Sequence, residues 1–176
     1  MTVADAILSG PVGPRFFLGV DPGLSGALGL YDTQGTDHRV IDLPTIQPKS
    51  GKRIVDARAL ADIVGELAFE YDALVAAIEN VAGRPRQQGV FHYGLSTGII
   101  HGVLATHCVP YVLIASQVWK GGLRLVRGKD ETPAQHKTRS RLKAMQLFPS
   151  IADSFKRVQD DGRAEAMLIA FYLSQK

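Results

Sequence analysis

Four carboxylates stand at positions where a globular chain has little structural use for them. Asp21 follows the apolar run at residues 15–20 (RFFLGV), and Glu79 closes a second such run at 73–78 (ALVAAI). An uncompensated carboxylate in or beside a core strand is costly, and it ionises there only with a cation to balance it. Asp161 and Glu165 lie four residues apart at the start of the last predicted helix, so they share one helical face. Asp160 is five residues from Glu165 and points well round that helix. Four oxygen-bearing side chains with no cysteine or histidine pair beside them suit Mg²⁺ or Mn²⁺ rather than zinc. Two such ions roughly 3.5–4 Å apart can activate a water and stabilise the leaving oxygen in phosphodiester hydrolysis, with no covalent nucleophile. Three of the acids also have a plainer use, whereas Glu79 in an apolar strand is harder to explain. Asp21 before Pro22-Gly23 is a turn former, and Asp161 and Glu165 suit the positive end of a helix dipole. Their joint placement is what marks them as a candidate site.

For these acids to meet, the strand at 15–20 must lie beside the strand at 73–78, and the last helix must cross the sheet. The intervening sequence supplies suitable elements. Residues 25–31 (SGALGLY) and 38–43 (HRVIDL) read as second and third strands, joined through a hairpin connection at 32–37 that contains Gly35. Residues 44–54 hold two prolines, Gly51, Lys49, Lys52 and Arg53, and read as an exposed basic loop. Asp56 is a candidate N-cap, and Leu60, Ile63, Val64 and Leu67 then recur at the spacing of an amphipathic helix. The run at 73–78 is apolar on both faces, as a central parallel strand is. A loop with Gly83, Arg84 and Pro85 leads to a long helix at 87–108, and 110–114 (PYVLI) is a fifth strand. Ser116 is a candidate cap for a short helix containing Trp119 and Lys120, and the Gly-rich, charged stretch 121–131 reads as a mobile loop. Thr132, Pro133 and Gln135 form a capping-box start for a helix reaching Phe148. The order predicts an α/β fold with a five-stranded mixed sheet and helices on both faces. Residues 1–14 read as a flexible N-terminal tail and 15–176 as a single domain.

Bulk composition narrows the partners. The chain has 176 residues and a formal charge of +3, and its pI of about 9.1 admits nucleic acid. The one cysteine, Cys108, cannot form an internal disulfide; a reducing compartment such as the cytoplasm fits, and Cys108 reads as a small core residue. Residues 87–119 contain no Lys, Arg, Asp or Glu, but His92, Ser96, His101, Thr106, His107 and Pro110 interrupt them, so a buried helix and strand are expected rather than a membrane span. The N-terminus lacks the pattern of a secretory signal.

Three segments in order, GVDPGLSGALGL (19–30), IEN (78–80) and DDGRAEAMLIA (160–170), resemble the RuvC-type Holliday junction resolvases. SQVWK (116–120), LFP (147–149) and the DGRAEA core are most similar to the phage and plant-organellar branch. The resemblance spans about Phe16 to Leu173. It implies a ribonuclease H-like fold, a homodimer in a bacterial or phage-infected cell, divalent metal and paired symmetric nicks across a four-way junction. Carried over position by position, it implies that Asp21, Glu79, Asp161 and Glu165 bind the metal. The bacterial branch spaces its last two acids by three, which falls here on Gly162; the organellar-like branch spaces them by four and often has histidine first, where this chain has Asp161. Ligand and base both remain open for Asp161. The resemblance also points to Lys120 and Lys137 as basic residues near the catalytic centre.

Further candidates for DNA contact are Arg84 and Arg86 after Glu79, together with Arg163; each is also an ordinary surface charge. Lys49, Lys52, Arg53, Arg124, Arg127 and Lys129 could widen the footprint. Phe91, His92 and Tyr93 open the long helix and could stack on unpaired bases, or simply pack. Gly94, Gly98 and Gly102 share one stripe, against which either another part of the chain or a second copy could pack. Three other readings stand beside this one. A kinase lobe of the actin type would need a second lobe and a second phosphate loop, a non-catalytic junction-binding protein would need no convergent acids, and another ribonuclease H-like nuclease would act on branched DNA or RNA–DNA hybrids.

Overall fold

The computed structural model describes residues 15–49, 51–80 and 90–176. The expected tail at 1–14 and the loop arginines Arg84 and Arg86 lie outside the described residues. Strands β1 (Phe16–Val20), β2 (Ala27–Asp32) and β3 (Arg39–Asp42) form an antiparallel meander. β4 (Thr45–Ile46) and β5 (Ile54–Val55) pair with each other outside the main sheet, so the stretch expected to be a basic loop is a short antiparallel arm. Helix α1 (Ala57–Glu70) follows, with the Asp56 side chain accepting from the N–H groups of Arg58 and Ala59 as its cap. β6 (Val75–Asn80), α2 (Val90–Thr106) and β7 (Tyr111–Ala115) come next, then α3 (Ser116–Gly122) and α4 (Pro133–Leu147). Two 3₁₀ turns, Pro149–Phe155 and Val158–Asp160, lead into α5 (Asp161–Leu173). β6 and β7 add in parallel beyond β1, giving the sheet order β3-β2-β1-β6-β7.

Period-2 alternation splits the core into two layers. Phe17, Val75 and Ala77 face α5 and pack with Trp119, Phe148 and Met167. Leu18, Val20 and Ile78 face the opposite way, against Leu60 and Val64 of α1 and Leu104 of α2. Burying side chains of this size stabilises the fold by about 1.5–3 kcal/mol each. The α5 layer is unusually close because Gly19 and Gly29 are paired in register. A Cβ at Gly19 would meet the Ala166 carbonyl oxygen at 2.0 Å, and one at Gly29 would meet the Met167 nitrogen at 2.6 Å. The glycine pair therefore lets the backbone of α5 rest directly on β1 and β2, which fixes where the acids of its first turns fall.

Two local expectations change. Cys108 is exposed rather than in the core, because the chain leaves α2 with Cys108 in the left-handed region (φ 54°) and turns its side chain outward. Ser116 does not cap α3: Ala115 is the N-cap residue, and the Ser116 hydroxyl donates to Glu79 instead. The Thr132–Gln135 capping box is formed as expected. Among the described residues no helix is long and apolar enough to cross a membrane.

Candidate active site

Strand parity and register bring the first two acids together. Phe17, Gly19 and Asp21 fall on one face of β1 and its extension, while Val75, Ala77 and Glu79 fall on the same face of β6. Gly19 is opposite Ala77, so two residues further on Asp21 stands beside Glu79, at the carboxyl ends of both strands. α5 crosses this face and delivers Glu165 and Asp161 from its first turns. Gly162 lies between them at the closest approach: a Cβ there would meet Ser25 O at 2.4 Å, Gly26 Cα at 2.8 Å and Asp21 Oδ2 at 3.0 Å. A side chain at 162 would push the helix off the site, so the acids of α5 stand at 161 and 165.

Lys120, from α3, ties the centre of the group. Its Nζ is 3.1 Å from Glu165 Oε1 and 3.9 Å from Glu79 Oε1, and it also lies over the Trp119 ring. Glu79 is buried, and its Oε1 accepts from Ser116 Oγ at 2.6 Å and Trp119 Nε1 at 3.1 Å. Tyr93 donates its hydroxyl to the Glu79 carbonyl oxygen at 2.9 Å, anchoring the end of β6 to α2. Asp21 Oδ1 accepts from the Gly23 N–H at 3.1 Å, so the turn-forming role expected of it coexists with its place in the cluster. Burial pushes the Asp21 carboxyl up to about 7, with Glu79 and Glu165 adding to the rise, although the Gly23 N–H and Lys120 act against it. Burial likewise raises Glu165, against the pull of Lys120.

Asp161 is handled differently. Its Oδ2 pairs with Lys137 at 3.1 Å, and its Oδ1 accepts from Arg141. Lys137 is 57% exposed, whereas the Arg141 side chain is only 9% exposed. Asp21, Asp161 and Glu165 border a cleft of about 330 Å³ whose rim includes Lys137 and Gln159.

The donor set fits a hard divalent cation: every candidate ligand is a carboxylate oxygen, and Asp21 is raised by burial first and by its carboxylate neighbours Glu79 and Glu165 second. Among the described residues no three acidic, histidine or cysteine side chains are grouped tightly enough to hold one ion as they stand. Lys120, Lys137 and Arg141 draw the carboxylates towards themselves.

The remaining expected contacts are spread around this centre. Arg163 donates two hydrogen bonds to Asp42, each 2.6 Å, and so links α5 to β3. Asp160 is buried away from the cleft; burial would raise its carboxyl, but Arg157 outweighs that and holds it below the usual range. Phe91 projects from the start of α2, 76% exposed, with the His92 ring beside it. His92 and Tyr93 border a second, apolar groove with Pro22, Leu24, Lys52 and Arg53. Gly94, Gly98 and Gly102 lie on the exposed side of α2, where an added Cβ would meet nothing within 4 Å.

Sequence reasoning missed Arg141, the Ser116 hydroxyl and the Trp119 indole N–H. The spacing of Arg141 four residues after Lys137 puts the two on one helical face, but it does not show that Arg141 is buried.

No sequence-family model matches the chain, and no curated protein matches it either. Solved structures do. The Thermus thermophilus RuvC in complex with a Holliday junction substrate is 17% identical, covering 89% of this chain and 91% of its own, with a TM-score of 0.58. A second Thermus thermophilus RuvC structure gives 17% identity, 89% and 94% coverage, and a TM-score of 0.54. The yeast mitochondrial Holliday junction resolvase Ydc2 gives 14% identity, 98% and 83% coverage, and a TM-score of 0.50. With its five-stranded mixed sheet and helices on both faces, this chain has the ribonuclease H-like fold of those resolvases.

Proposed function

We propose that this chain is a structure-selective DNA endonuclease that resolves four-way (Holliday) junctions by paired, metal-dependent phosphodiester hydrolysis. The observation that carries the reading is the grouping of Asp21, Glu79 and Glu165 around Lys120, with Asp161 across the same cleft. A largely buried set of carboxylates from three distant parts of the chain has no packing rationale, and its chemistry suits hard cations. The likeness to a RuvC that holds a Holliday junction substrate supports the choice of substrate.

In this reading Asp21, Glu79, Asp161 and Glu165 hold two Mg²⁺ or Mn²⁺ ions. Bound ions of this kind supply an activated water and charge for the leaving oxygen. Ser116 and Trp119 fix the Glu79 carboxylate, so one of its oxygens keeps a constant direction. Lys120 and the exposed Lys137 lie close enough to the carboxylates to meet a scissile phosphate and stabilise charge developing on it. Phe91, exposed and in edge contact with His92, could stack on an unpaired base, with Tyr93 next to them at the start of α2. Arg84 and Arg86, which lie outside the described residues, and Arg163, once released from Asp42, are further candidates for DNA-backbone contact. The open glycine stripe of α2 suits close approach by a second copy, and a two-fold dimer would match the symmetry of the junction.

Cleavage of end-labelled four-way, three-way and linear DNA with Mg²⁺, Mn²⁺ or a chelator tests the reading. The expected outcome is paired nicking of the four-way substrate with either metal and none with the chelator. Equal cutting of all three substrates would favour a general ribonuclease H-like nuclease. Tight four-way binding with no cutting under any condition would favour a non-catalytic binding protein.

A further inference from the structure

Arg141 is a buried cation whose one ionic partner among the described residues is Asp161, and neither strand nor helix packing requires a guanidinium there. Its Nη1 donates to Asp161 Oδ1 and to the Val158 carbonyl oxygen at 3.1 Å, and its Nη2 donates to Thr138 Oγ1 at 3.1 Å. The guanidinium is thus fixed on three sides: by α4, by the turn before α5 and by the carboxylate itself. Lys137, one helical turn earlier on the same face, takes the other oxygen, Oδ2, but it is mostly exposed and can leave. The two oxygens of Asp161 therefore differ. Oδ1 is committed to a rigid, buried partner, and Oδ2 is paired only with the exposed Lys137 at the cleft rim.

We propose that Arg141 is a positioning residue that restricts Asp161 to one available oxygen and thereby sets the ion selectivity of the site. This inference rests on the metal-dependent reading above. Mg²⁺ demands a near-regular octahedron of single oxygens, whereas Ca²⁺ accepts more ligands and takes carboxylates in bidentate fashion. An Asp161 that can offer only Oδ2 suits the smaller ion. An Asp161 released from Arg141 can offer both oxygens and suits the larger one. Because Arg141 carries charge, its loss strengthens the attraction for both ions, but that effect largely cancels in the ratio of their affinities.

Thermal-unfolding titrations of the whole chain with Mg²⁺ and with Ca²⁺ read this ratio without reference to catalysis. In R141Q the ratio of half-saturating Ca²⁺ to half-saturating Mg²⁺ falls about tenfold from the wild-type value, the scale on which partners behind a metal ligand act. T138V, which removes the acceptor that fixes Nη2 but keeps the charge, moves the ratio the same way by less, and R141K recovers part of the R141Q shift. If R141Q does not fold, T138V and R141K decide the matter. Ratios equal to wild type in the folded variants overturn the assignment of Arg141 while leaving the metal site standing. A wild-type chain whose unfolding responds to neither ion removes the metal site and this role together.

Discussion

Two aspartates mark opposite ends of the β1–β2 hairpin, and the donors around them set their carboxyls in opposite directions. Asp32, at the end of β2, is fully buried and accepts from Arg15 Nε and Nη2, from the Thr36 hydroxyl, and from the backbone N–H groups of Gln34 and Thr36. The Arg15 guanidinium, aided by Thr36 and Gln34, holds its carboxyl far below the usual range despite burial. Asp21, at the end of β1, accepts one backbone N–H and has two carboxylates for neighbours, and its carboxyl is pushed up to about 7. The same residue type on the same hairpin is in one case supplied with every donor it can use and in the other left short of them. A carboxylate of the first kind holds a turn together. One of the second kind, in the proposed function, is kept for a cation the chain itself does not supply.

The sharpest way to break this contrast is Asp21→Asn, which should lower junction cleavage by at least about 100-fold, the usual scale for losing a group that handles developing charge, while junction binding survives. Stability should move the other way. The folded protein keeps a proton on Asp21 up to about pH 7, whereas the unfolded chain releases it near pH 4. The contribution of Asp21 to stability is therefore fully present below about pH 4 and is lost as the pH rises towards 7. In a chelator at pH 8, Asp21→Asn should melt at or above the wild-type temperature, and the two curves should converge in acid. A variant that cuts at the wild-type rate would remove Asp21 from the chemistry.

Asp32→Ala should show the mirror image. Removing it deletes hydrogen bonds to a charged acceptor, of which one alone is worth about 1.5–3 kcal/mol, so a loss of about 2–3 kcal/mol is expected in denaturant unfolding. The specific activity of the folded fraction should be unchanged. Because the folded-state pKa of Asp32 is depressed, its contribution is present above the unfolded value near 4 and is lost as the pH falls through the folded one. Asp32→Ala and wild type should therefore differ most at neutral pH. A variant that loses cleavage but not stability would erase the distinction between the two aspartates.

The strand order and the two carboxylates at the strand ends were legible because long apolar runs and a charge at their ends are strong local signals. Asp21 and Glu79 needed only parity and one pairing to be placed together. Other features were hidden for physical reasons. Asp32 reads as an ordinary turn residue, since its main partner Arg15 is reached only through the antiparallel pairing that sets Phe16 opposite Asp32. Arg141 lies on a strongly polar helix, where one more cation reads as solvated surface, and only the packing of α4 on α5 buries it. β4 and β5 are two residues each, too short for alternation to show. The left-handed turn at Cys108 has no glycine to announce it.

The smallest effect expected is that of Ser116→Ala, and it tests whether the active-site end of the contrast is graded. Glu79 Oε1 accepts from the Ser116 hydroxyl at 2.6 Å and the Trp119 indole at 3.1 Å, so losing the hydroxyl leaves one donor and a freer carboxylate. Partners behind a metal ligand typically matter at about the tenfold level, and cleavage should fall by roughly that factor while binding of junction DNA is kept. Restoring a hydroxyl with Ser116→Thr should recover most of the rate. If Ser116→Ala instead behaves like Asp32→Ala, losing stability and keeping its rate, then Glu79 is being held for packing, and the cluster around Lys120 is a structural network like the one around Arg15. If it loses rate alone, donors at the carboxyl ends of β1 and β6 serve to aim the carboxylates, whereas donors at the other end of the hairpin serve to bury one.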